Sequence, residues 1–178
     1  MKMTRSKFLA ITLGFVCTLA QSGLADESAT TLKVGKFTFS GDKSWAVKSA
    51  PRTMSAGGFT LTGEGEKLDA DFYYFGKGQG GTTEANIARW QGQFKEKPEP
   101  KKETLTFGEQ KVHIIKLEGT FLEGPPFGQK KEVKGQAMLG AIVESGDGHV
   151  FVKMTGAKKA IEAAAEAFKA LCSSPFKK

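Results

Sequence analysis

Residues 137–154, AMLGAIVESGDGHVFVKM, decide the fold that this chain is expected to adopt. The run from Ala137 to Val143 is continuously apolar, which is typical of a central strand covered on both faces. Residues 145–148 (SGDG) form a turn sequence of the kind that joins antiparallel strands, and Val150 to Met154 again favours a strand. The stretch therefore predicts a hairpin at the centre of an antiparallel sheet.

A helix from Ala157 to Cys172 is expected directly after this hairpin. Its apolar residues recur every three or four positions, which predicts one buried face, and residues 173–175 (SSP) predict its end. Cys172 falls on the same stripe, so we expect a small buried residue rather than a nucleophile, and an intermolecular disulfide stays open as the alternative. The buried face is expected to hold Ile161, Ala164 or Ala165, Phe168 and Leu171.

Upstream of the hairpin, alternating apolar residues predict a long strand over 111–121. Exposed loops are expected on either side of it, at 95–102 and 123–134, because both stretches combine prolines with charged residues. Earlier in the chain, strands are expected at 32–39 and 70–75, and 45–48 and 58–62 are short strand candidates. The long strand is predicted to place His113, Ile115, Leu117 and Phe121 on one face, and Val112 and Ile114 on the other.

Another helix is expected to begin at Thr82 or Thr83, immediately after a glycine-rich stretch at 76–81. Glu84 lies in its first turn, where the helix dipole favours a negative charge. The spacing of the apolar residues that follow predicts a one-sided stripe. That stripe consists of Ile87, Trp90 and Phe94.

The expected element order is β-β-β-α-β-β-β-α, which lacks the strict βαβ alternation of a parallel dinucleotide-binding sheet. It predicts an α+β fold in which a central antiparallel sheet is flanked by helices as an α/β/α sandwich. No repeat or low-complexity block divides the sequence. We therefore expect one domain over residues 26–178, long enough to bury a substantial core.

The first 25 residues predict a cleaved signal peptide. Three basic residues precede a mostly apolar run at 8–19, and residues 23–25 (GLA) end it with small residues. The apolar run is shorter than the roughly 20 residues that a membrane-spanning helix needs. We therefore expect an exported protein of the periplasm or cell envelope, with no membrane span after cleavage.

Charge and ligand-forming residues exclude several function classes at this stage. The formal net charge of +7 falls to +4 on cleavage, and the excess is almost all lysine, which favours a solvated surface over phosphate recognition. Nucleic-acid binding is not expected, because no exposed aromatic residues interleave with the lysines. The sequence contains no metal-ligand spacing, and His113 and His149 lack a recognisable catalytic partner.

Gly76-x-Gly78-x-x-Gly81 matches the glycine pattern of dinucleotide-binding loops. That pattern needs a following parallel strand in a βαβ unit, which the element order does not provide, so we expect no nucleotide cofactor. A flexible turn is the favoured interpretation of the loop. Binding of a simple anion through its backbone amides is the alternative.

A candidate recognition surface lies at the start of the first helix. Its residues are Gly78, Gly80 and Gly81 of the loop, with Asn86, Arg89 and Gln93 of the helix. Those three helical residues are spaced i, i+3 and i+7, which predicts a polar stripe beside Trp90. The competing interpretation is that Asn86 and Arg89 hold local loops while Trp90 fills the core.

Several short motifs resemble those of a family of exported bacterial proteins of unknown function. They are Gly80-Gly81, Asn86-Ile87, Arg89-Trp90, Gly92-Gln93-Phe94, Lys153-Met154-Thr155-Gly156 and Lys158-Lys159. The element order and the early Trp45 also resemble PsbP-like domains, in which helices flank a central antiparallel sheet. Such domains are mostly non-enzymatic accessory modules, so the resemblance implies an accessory or binding role and no catalytic residues.

Taken together, the sequence predicts a non-enzymatic accessory or binding module of the envelope, with a protein of the envelope as its partner. Two alternatives stay open. One is an enzyme whose residues converge only in three dimensions, and a deep pocket that holds His113 or His149 beside a carboxylate would favour it. The other is an electrostatic binder of anionic lipid or polymer, which a steep loss of binding at high salt would favour.

Overall fold

The computed structural model describes residues 30–48, 54–62, 65–125 and 127–177. The expected signal peptide, its cleavage site and the domain boundary at residue 26 lie outside the described residues. Nine strands, two α-helices and a short 3₁₀ turn are formed by the described part of the chain. They are β1 Thr30–Val34, β2 Phe37–Gly41, β3 Trp45–Val47, β4 Gly57–Leu61, β5 Leu68–Tyr74, α1 Thr83–Gln91, β6 Lys101–Phe107, β7 Gln110–Glu123, β8 Lys131–Val143, β9 Val150–Ala157 and α2 Lys158–Ser173, with the 3₁₀ turn at Ser174–Phe176.

Seven of these strands form one antiparallel sheet in the order β3-β4-β5-β9-β8-β7-β6. The predicted central hairpin is confirmed: Val143 of β8 pairs with Val150 of β9, and the ladder continues from there to Gln136 and Ala157. Strands β1 and β2 form a separate two-stranded hairpin. The predicted antiparallel sheet with two helices is therefore confirmed.

Three predicted elements differ from the structure. The single strand expected at 32–39 is a hairpin that turns at Gly35, whose φ of 58° suits a glycine. The exposed loop expected up to residue 102 ends at Lys101, where β6 begins, and the loop expected up to 134 ends where β8 begins at Lys131. Five strands thus precede α1, and four follow it, in the part of the chain that the structure describes.

The missed strand β6 has a physical explanation. It is an edge strand whose side chains are mostly exposed, so it needs few apolar residues, and its lysines and glutamate give it the composition of a loop. Charged residues on an edge strand also discourage pairing with other chains. Apolar periodicity is therefore a weak signal for such a strand.

The two faces of the sheet bury separate apolar clusters. On β8, Leu139, Ala141 and Val143 join the cluster that packs against α2. The alternate residues Met138 and Ile142 join the cluster that packs against α1. The prediction of a central strand covered on both faces is therefore confirmed.

The layers that pack on the two faces of the seven-stranded sheet contain less helix than expected. Helix α1 has only nine residues, and the face that packs against α2 also receives Val34, Phe37 and Phe39 of the β1–β2 hairpin. The backbone N–H of Ser40 donates to Ser174 Oγ at 2.8 Å, which ties this hairpin to the end of α2. The hairpin thus completes a layer that a helix alone would leave open.

Helix α2 carries the predicted buried face. Ile161, Ala164, Phe168 and Leu171 are buried, and Cys172 is fully buried beside them, as expected. Burial raises the pKa of the Cys172 thiol well above its usual range. The low thiolate population that follows is a poor nucleophile.

An ion-pair cluster joins β7 to the first turn of α2. Glu118 lies 2.8 Å from Lys116 Nζ and 2.6 Å from Lys158 Nζ, and its side chain is 22% exposed. Hydrogen bonds from Lys116 and Lys158 hold the pKa of Glu118 at about 2, below the ordinary 4.5. The folded state therefore binds a proton at Glu118 less readily than the unfolded state.

We expect Glu118→Gln to lower the free energy of unfolding at pH 7 by about 1–2 kcal/mol, after allowance for solvent screening. A carboxylate with a depressed pKa stabilises the fold above pH 4.5, and that contribution is lost as the pH falls from 4.5 towards 2. Urea denaturation of wild type and variant at pH 7 and pH 3 checks this, with the exposed Glu99→Gln as control. If wild type and Glu118→Gln differed in free energy of unfolding by the same amount at pH 7 and pH 3, the prediction would be wrong.

Candidate functional site

The glycine loop before α1 is held against the sheet. Thr82 is the N-cap, and its hydroxyl accepts a hydrogen bond from the backbone N–H of Ala85 at 3.2 Å. Gly80 has a φ of 86°, and a Cβ at this position would lie 2.8 Å from the ring of Phe151. A side chain would therefore be both strained and crowded at Gly80.

Asn86 connects this loop to the helix. Its Nδ2 donates to the carbonyl oxygens of Gly80 at 2.8 Å and Thr82 at 2.9 Å. Its Oδ1 accepts from Arg89 Nη1 at 2.7 Å. Because Asn86 is only 3% exposed, it holds the loop and orients Arg89 rather than offering a contact surface.

The predicted recognition surface is divided by this arrangement. Gly78 and Gly81 line a cleft of about 480 Å³, which we call the loop cleft. Arg89 and Gln93 line a different and larger cleft beside α1. The structure therefore brings Arg89 and Gln93 together, places Gly78 and Gly81 at another opening, and packs Gly80 against Phe151.

The chemistry of the loop cleft is unlike that of a phosphate site. Glu84, Glu144 and His149 line it together with Gly78 and Gly81, so an anion in the cleft would meet two carboxylates. The strands around α1 also differ from a dinucleotide-binding unit, since β5 pairs antiparallel with β9 and β6 lies at the far edge of the sheet. Nothing in this geometry favours a nucleotide.

The larger opening, which we call the α1 cleft, has a volume of about 630 Å³. The end of α1 forms one wall, the paired ends of β7 and β8 form another, and β9 contributes the floor. Polar side chains of α1, the turn after it, β8 and β9 line the cleft, namely Arg89, Gln93, Gln136, Lys153 and Thr155. Glu66 and Glu123 supply two carboxylates, and Lys130 a further ammonium group.

Main-chain hydrogen bonds fix the two walls of the α1 cleft to each other. The N–H of Leu122 donates to the carbonyl oxygen of Gln93 at 2.8 Å, and the N–H of Lys95 donates to that of Thr120 at 2.9 Å. The register of β7 shifts between Gly119 and Phe121. A register shift of this kind bends a strand locally, and here it lies where β7 meets the segment that follows α1.

The polar groups of the cleft present mainly hydrogen-bond donors. Lys153 Nζ donates to Gln93 Oε1 at 2.8 Å, so the Nε2 of Gln93 remains as its outward-facing donor. Lys153 Nζ also lies 5.9 Å from the centre of the Phe121 ring. Arg89 is exposed, and no carboxylate of the described chain lies within ion-pairing distance of it.

Thr155 supplies a buried hydroxyl to the floor of the cleft. Its Oγ1 has no hydrogen-bond partner among the described residues, and no other buried side-chain polar atom of these residues lacks one. An unpartnered buried hydroxyl typically costs about 1–3 kcal/mol. Such a group calls for an explanation, which a bound ligand or water at the cleft would provide.

A smaller apolar pocket of about 160 Å³ opens beside the α1 cleft. Tyr73, Phe75 and Phe151 provide its aromatic lining, and Arg89, Gln93 and Lys153 line both this pocket and the cleft. The candidate site thus combines the polar α1 cleft with a small pocket lined by aromatic side chains. The shared residues form the boundary between them.

Each histidine has a local partner. His113 Nε2 lies 2.8 Å from Glu144 Oε1, and its Nδ1 lies 3.0 Å from Thr104 Oγ1, so the ring connects β6, β7 and the end of β8. His149 Nδ1 accepts from the N–H of Ser145 at 3.1 Å within the β8–β9 turn. Both rings therefore make contacts that stabilise neighbouring strands and turns.

Sequence reasoning missed the contribution of β9 to the site. In the sequence, Lys153 and Thr155 stand out only as part of a motif that resembles the exported family. Nothing in that motif predicts that either residue lines a site. The available signal was their spacing, because Phe151, Lys153 and Thr155 alternate along a strand and so share one face. Which residues stand opposite that face depends on the packing of α1.

No protein-family model matches the sequence, and no curated protein matches it significantly. The resemblance to the exported family therefore stays a prediction.

Solved structures with similar folds were found. The chain is similar to the solution structure of cyanobacterial PsbP (CyanoP) from Synechocystis sp. PCC 6803, at 13% identity over 85% of this chain and 94% of that chain, with a TM-score of 0.49. It is also similar to LpqN of Mycobacterium tuberculosis, described as involved in cell envelope biogenesis, at 10% identity over 84% of each chain, with a TM-score of 0.46. CyanoP is a PsbP protein, the type of domain that the sequence resembles.

Within residues 30–48, 54–62, 65–125 and 127–177, no group of three or more His, Cys, Asp or Glu side chains is arranged to hold a metal ion. No helix among these residues is long and apolar enough to cross a membrane.

Proposed function

We propose that this protein is an exported, non-enzymatic accessory module of the cell envelope that binds its partner through the α1 cleft. The observation that carries the proposal is that Arg89, Gln93 and Lys153 line one cleft together with Thr155, whose buried hydroxyl has no hydrogen-bond partner among the described residues. Arginine and amide groups beside aromatic side chains are common in protein recognition sites. The predicted cleavable leader supports the location.

Pre-orientation of Arg89 supports a binding role. Asn86 holds the guanidinium from one side at 2.7 Å, while the rest of the group is exposed. A side chain that is already ordered loses less conformational entropy when it binds. The contacts of His113 and His149 to neighbouring strands and turns give both rings a structural use, which supports a non-enzymatic role. An enzyme is the second candidate, because His149 lines the loop cleft beside Glu84 and Glu144.

A crosslinking pull-down from the cell envelope, with residues 26–178 as bait, tests this function. We expect the double variant Arg89→Ala, Gln93→Ala to capture at least about tenfold less partner than wild type, because central interface residues dominate binding energy. Asn86 is left intact, since its replacement would release the glycine loop. Lys33→Ala is the matched control, because Lys33 is exposed on the β1–β2 hairpin at the opposite face.

Thermal melts of all three proteins establish that each is folded before capture is compared. A partner captured by wild type and the Lys33 variant, but lost with the double variant, would support the proposal. Equal capture by all three, or no captured partner with any of them, would contradict it.

A further inference from the structure

We propose that the α1 cleft binds an oxyanion, a carboxylate or phosphate group of its ligand, between Arg89 and the hydroxyl of Thr155. This inference rests on the proposed function, since it names the chemistry recognised by the same cleft. Its starting point is the pairing of two unusual features. One is a cation with no carboxylate partner in the described chain, and the other is a buried hydroxyl with no hydrogen-bond partner there.

The donors in the cleft match the needs of an oxyanion. Arg89 keeps most of its five N–H donors after its bond to Asn86, and a guanidinium group suits the geometry of carboxylate and phosphate. Gln93 offers Nε2, because its Oε1 already accepts from Lys153. The hydroxyl of Thr155 can donate to the same ligand, and that bond would satisfy the unpartnered group.

The remaining charges of the cleft narrow the ligand class. Glu66 and Glu123 line the cleft together with the cations Arg89, Lys130 and Lys153, so the cleft is mixed in sign. Lys130 Nζ donates to the carbonyl oxygen of Gly124 at 3.2 Å, which directs this ammonium group to the β7–β8 connection. A single anionic group fits this arrangement, whereas a polyanion would meet the two carboxylates.

The buried hydroxyl makes a distinctive prediction about Thr155→Val. Valine has nearly the shape of threonine and removes the unpartnered group, so the free protein is expected to gain stability, with its Tm raised by about 2–4 °C. The same variant loses one hydrogen bond to the bound anion, which should weaken binding about tenfold. If Thr155 had only a structural role, its replacement by valine would not raise the Tm and weaken anion binding at the same time.

Two small probes, inorganic phosphate and acetate, test the site by NMR at constant ionic strength. We expect saturable shifts of the Arg89 side-chain Nε–H and the Thr155 backbone N–H, a loss of at least about tenfold in affinity for Arg89→Gln, and no change for Lys33→Ala. A response to phosphate alone assigns a phosphorylated ligand, and a response to acetate alone assigns a carboxylate. Either result supports the proposal.

Other outcomes would overturn it. Unchanged Arg89 and Thr155 signals with both probes would do so, as would a Thr155→Val variant that binds as tightly as wild type or is no more stable. The pull-down distinguishes this inference from the proposed function. If capture of the partner depends on Arg89 but the protein binds neither phosphate nor acetate, the proposed function is supported and only the oxyanion site is contradicted.

Discussion

Replacing Trp90 with alanine is expected to lower the free energy of unfolding by about 3–5 kcal/mol, which is typical of a large buried aromatic. Trp90 is only 6% exposed and is the largest side chain that α1 contributes to the sheet. Since α1 has nine residues and a single apolar face, Trp90 supplies a large share of the apolar packing between the helix and the sheet. Loss of the indole should therefore also loosen the wall of the α1 cleft.

The partner of Trp90 is a glycine in the central strand. A Cβ at Gly140 would lie 2.3 Å from Trp90 Cζ3, much closer than carbon atoms can pack. We therefore expect Gly140→Ala alone to cost about 1–3 kcal/mol by overpacking. In the Trp90→Ala background the same change should cost almost nothing, because the obstructing ring is gone.

Urea denaturation of the two single variants and the double variant measures this coupling. Strong non-additivity is the expected result, and far-ultraviolet circular dichroism confirms that each variant still folds. Additive effects would mean that Trp90 and Gly140 do not contact each other, which would contradict the packing of α1 described above.

Lys48→Met is expected to lower the free energy of unfolding by about 3 kcal/mol, because it removes the cation from a buried carboxylate. Lys48 Nζ lies 2.7 Å from Asp71 and 2.8 Å from Asp69, and the side chain of Asp71 is 3% exposed. Burial opposes the charge on Lys48, but hydrogen bonds to Asp69 and Asp71 outweigh it and raise its pKa. The ammonium group is therefore retained in the folded protein.

The matched test removes the carboxylate as well. Asp71→Asn in the Lys48→Met background should recover part of the lost stability, because the buried group that has lost Lys48 is then neutral. Urea denaturation at pH 7 of both single variants and the double variant measures the recovery. A double variant as unstable as the sum of the single ones would contradict the ion-pair explanation.

The candidate site was predicted in part. Helical spacing predicts that Arg89 and Gln93 lie on one face. They do line one cleft, but α1 ends at Gln91, so Gln93 lies in the turn after the helix rather than in it. Asn86 has the same spacing, yet its side chain turns inward to Gly80 and Thr82. Whether a polar side chain faces solvent or a nearby carbonyl group depends on the path of the loop, which spacing does not give.

Strand prediction succeeded where burial leaves a strong pattern. The apolar run predicts β8 correctly because both faces of that strand are covered. The buried face of α2 is predicted correctly because its apolar residues recur at a regular period. Strand β6 and the turn at Gly35 are weaker signals, since an edge strand needs few apolar residues and a short hairpin resembles a continuous strand. Exposure explains the error at β6, and the short turn at Gly35 explains the error at the β1–β2 hairpin.

The sequence by itself determined the local elements with one-sided or continuous apolar patterns, including the β8–β9 hairpin, α1 and α2. It could do so because these patterns follow from burial within a few neighbouring residues. Only the tertiary structure decided that Lys153 and Thr155 of β9 line the same cleft as Arg89 of α1 and Gln93 of the turn after it, more than 50 residues earlier in the chain. That meeting depends on sheet order and helix packing, which arise from long-range contacts that no local pattern encodes.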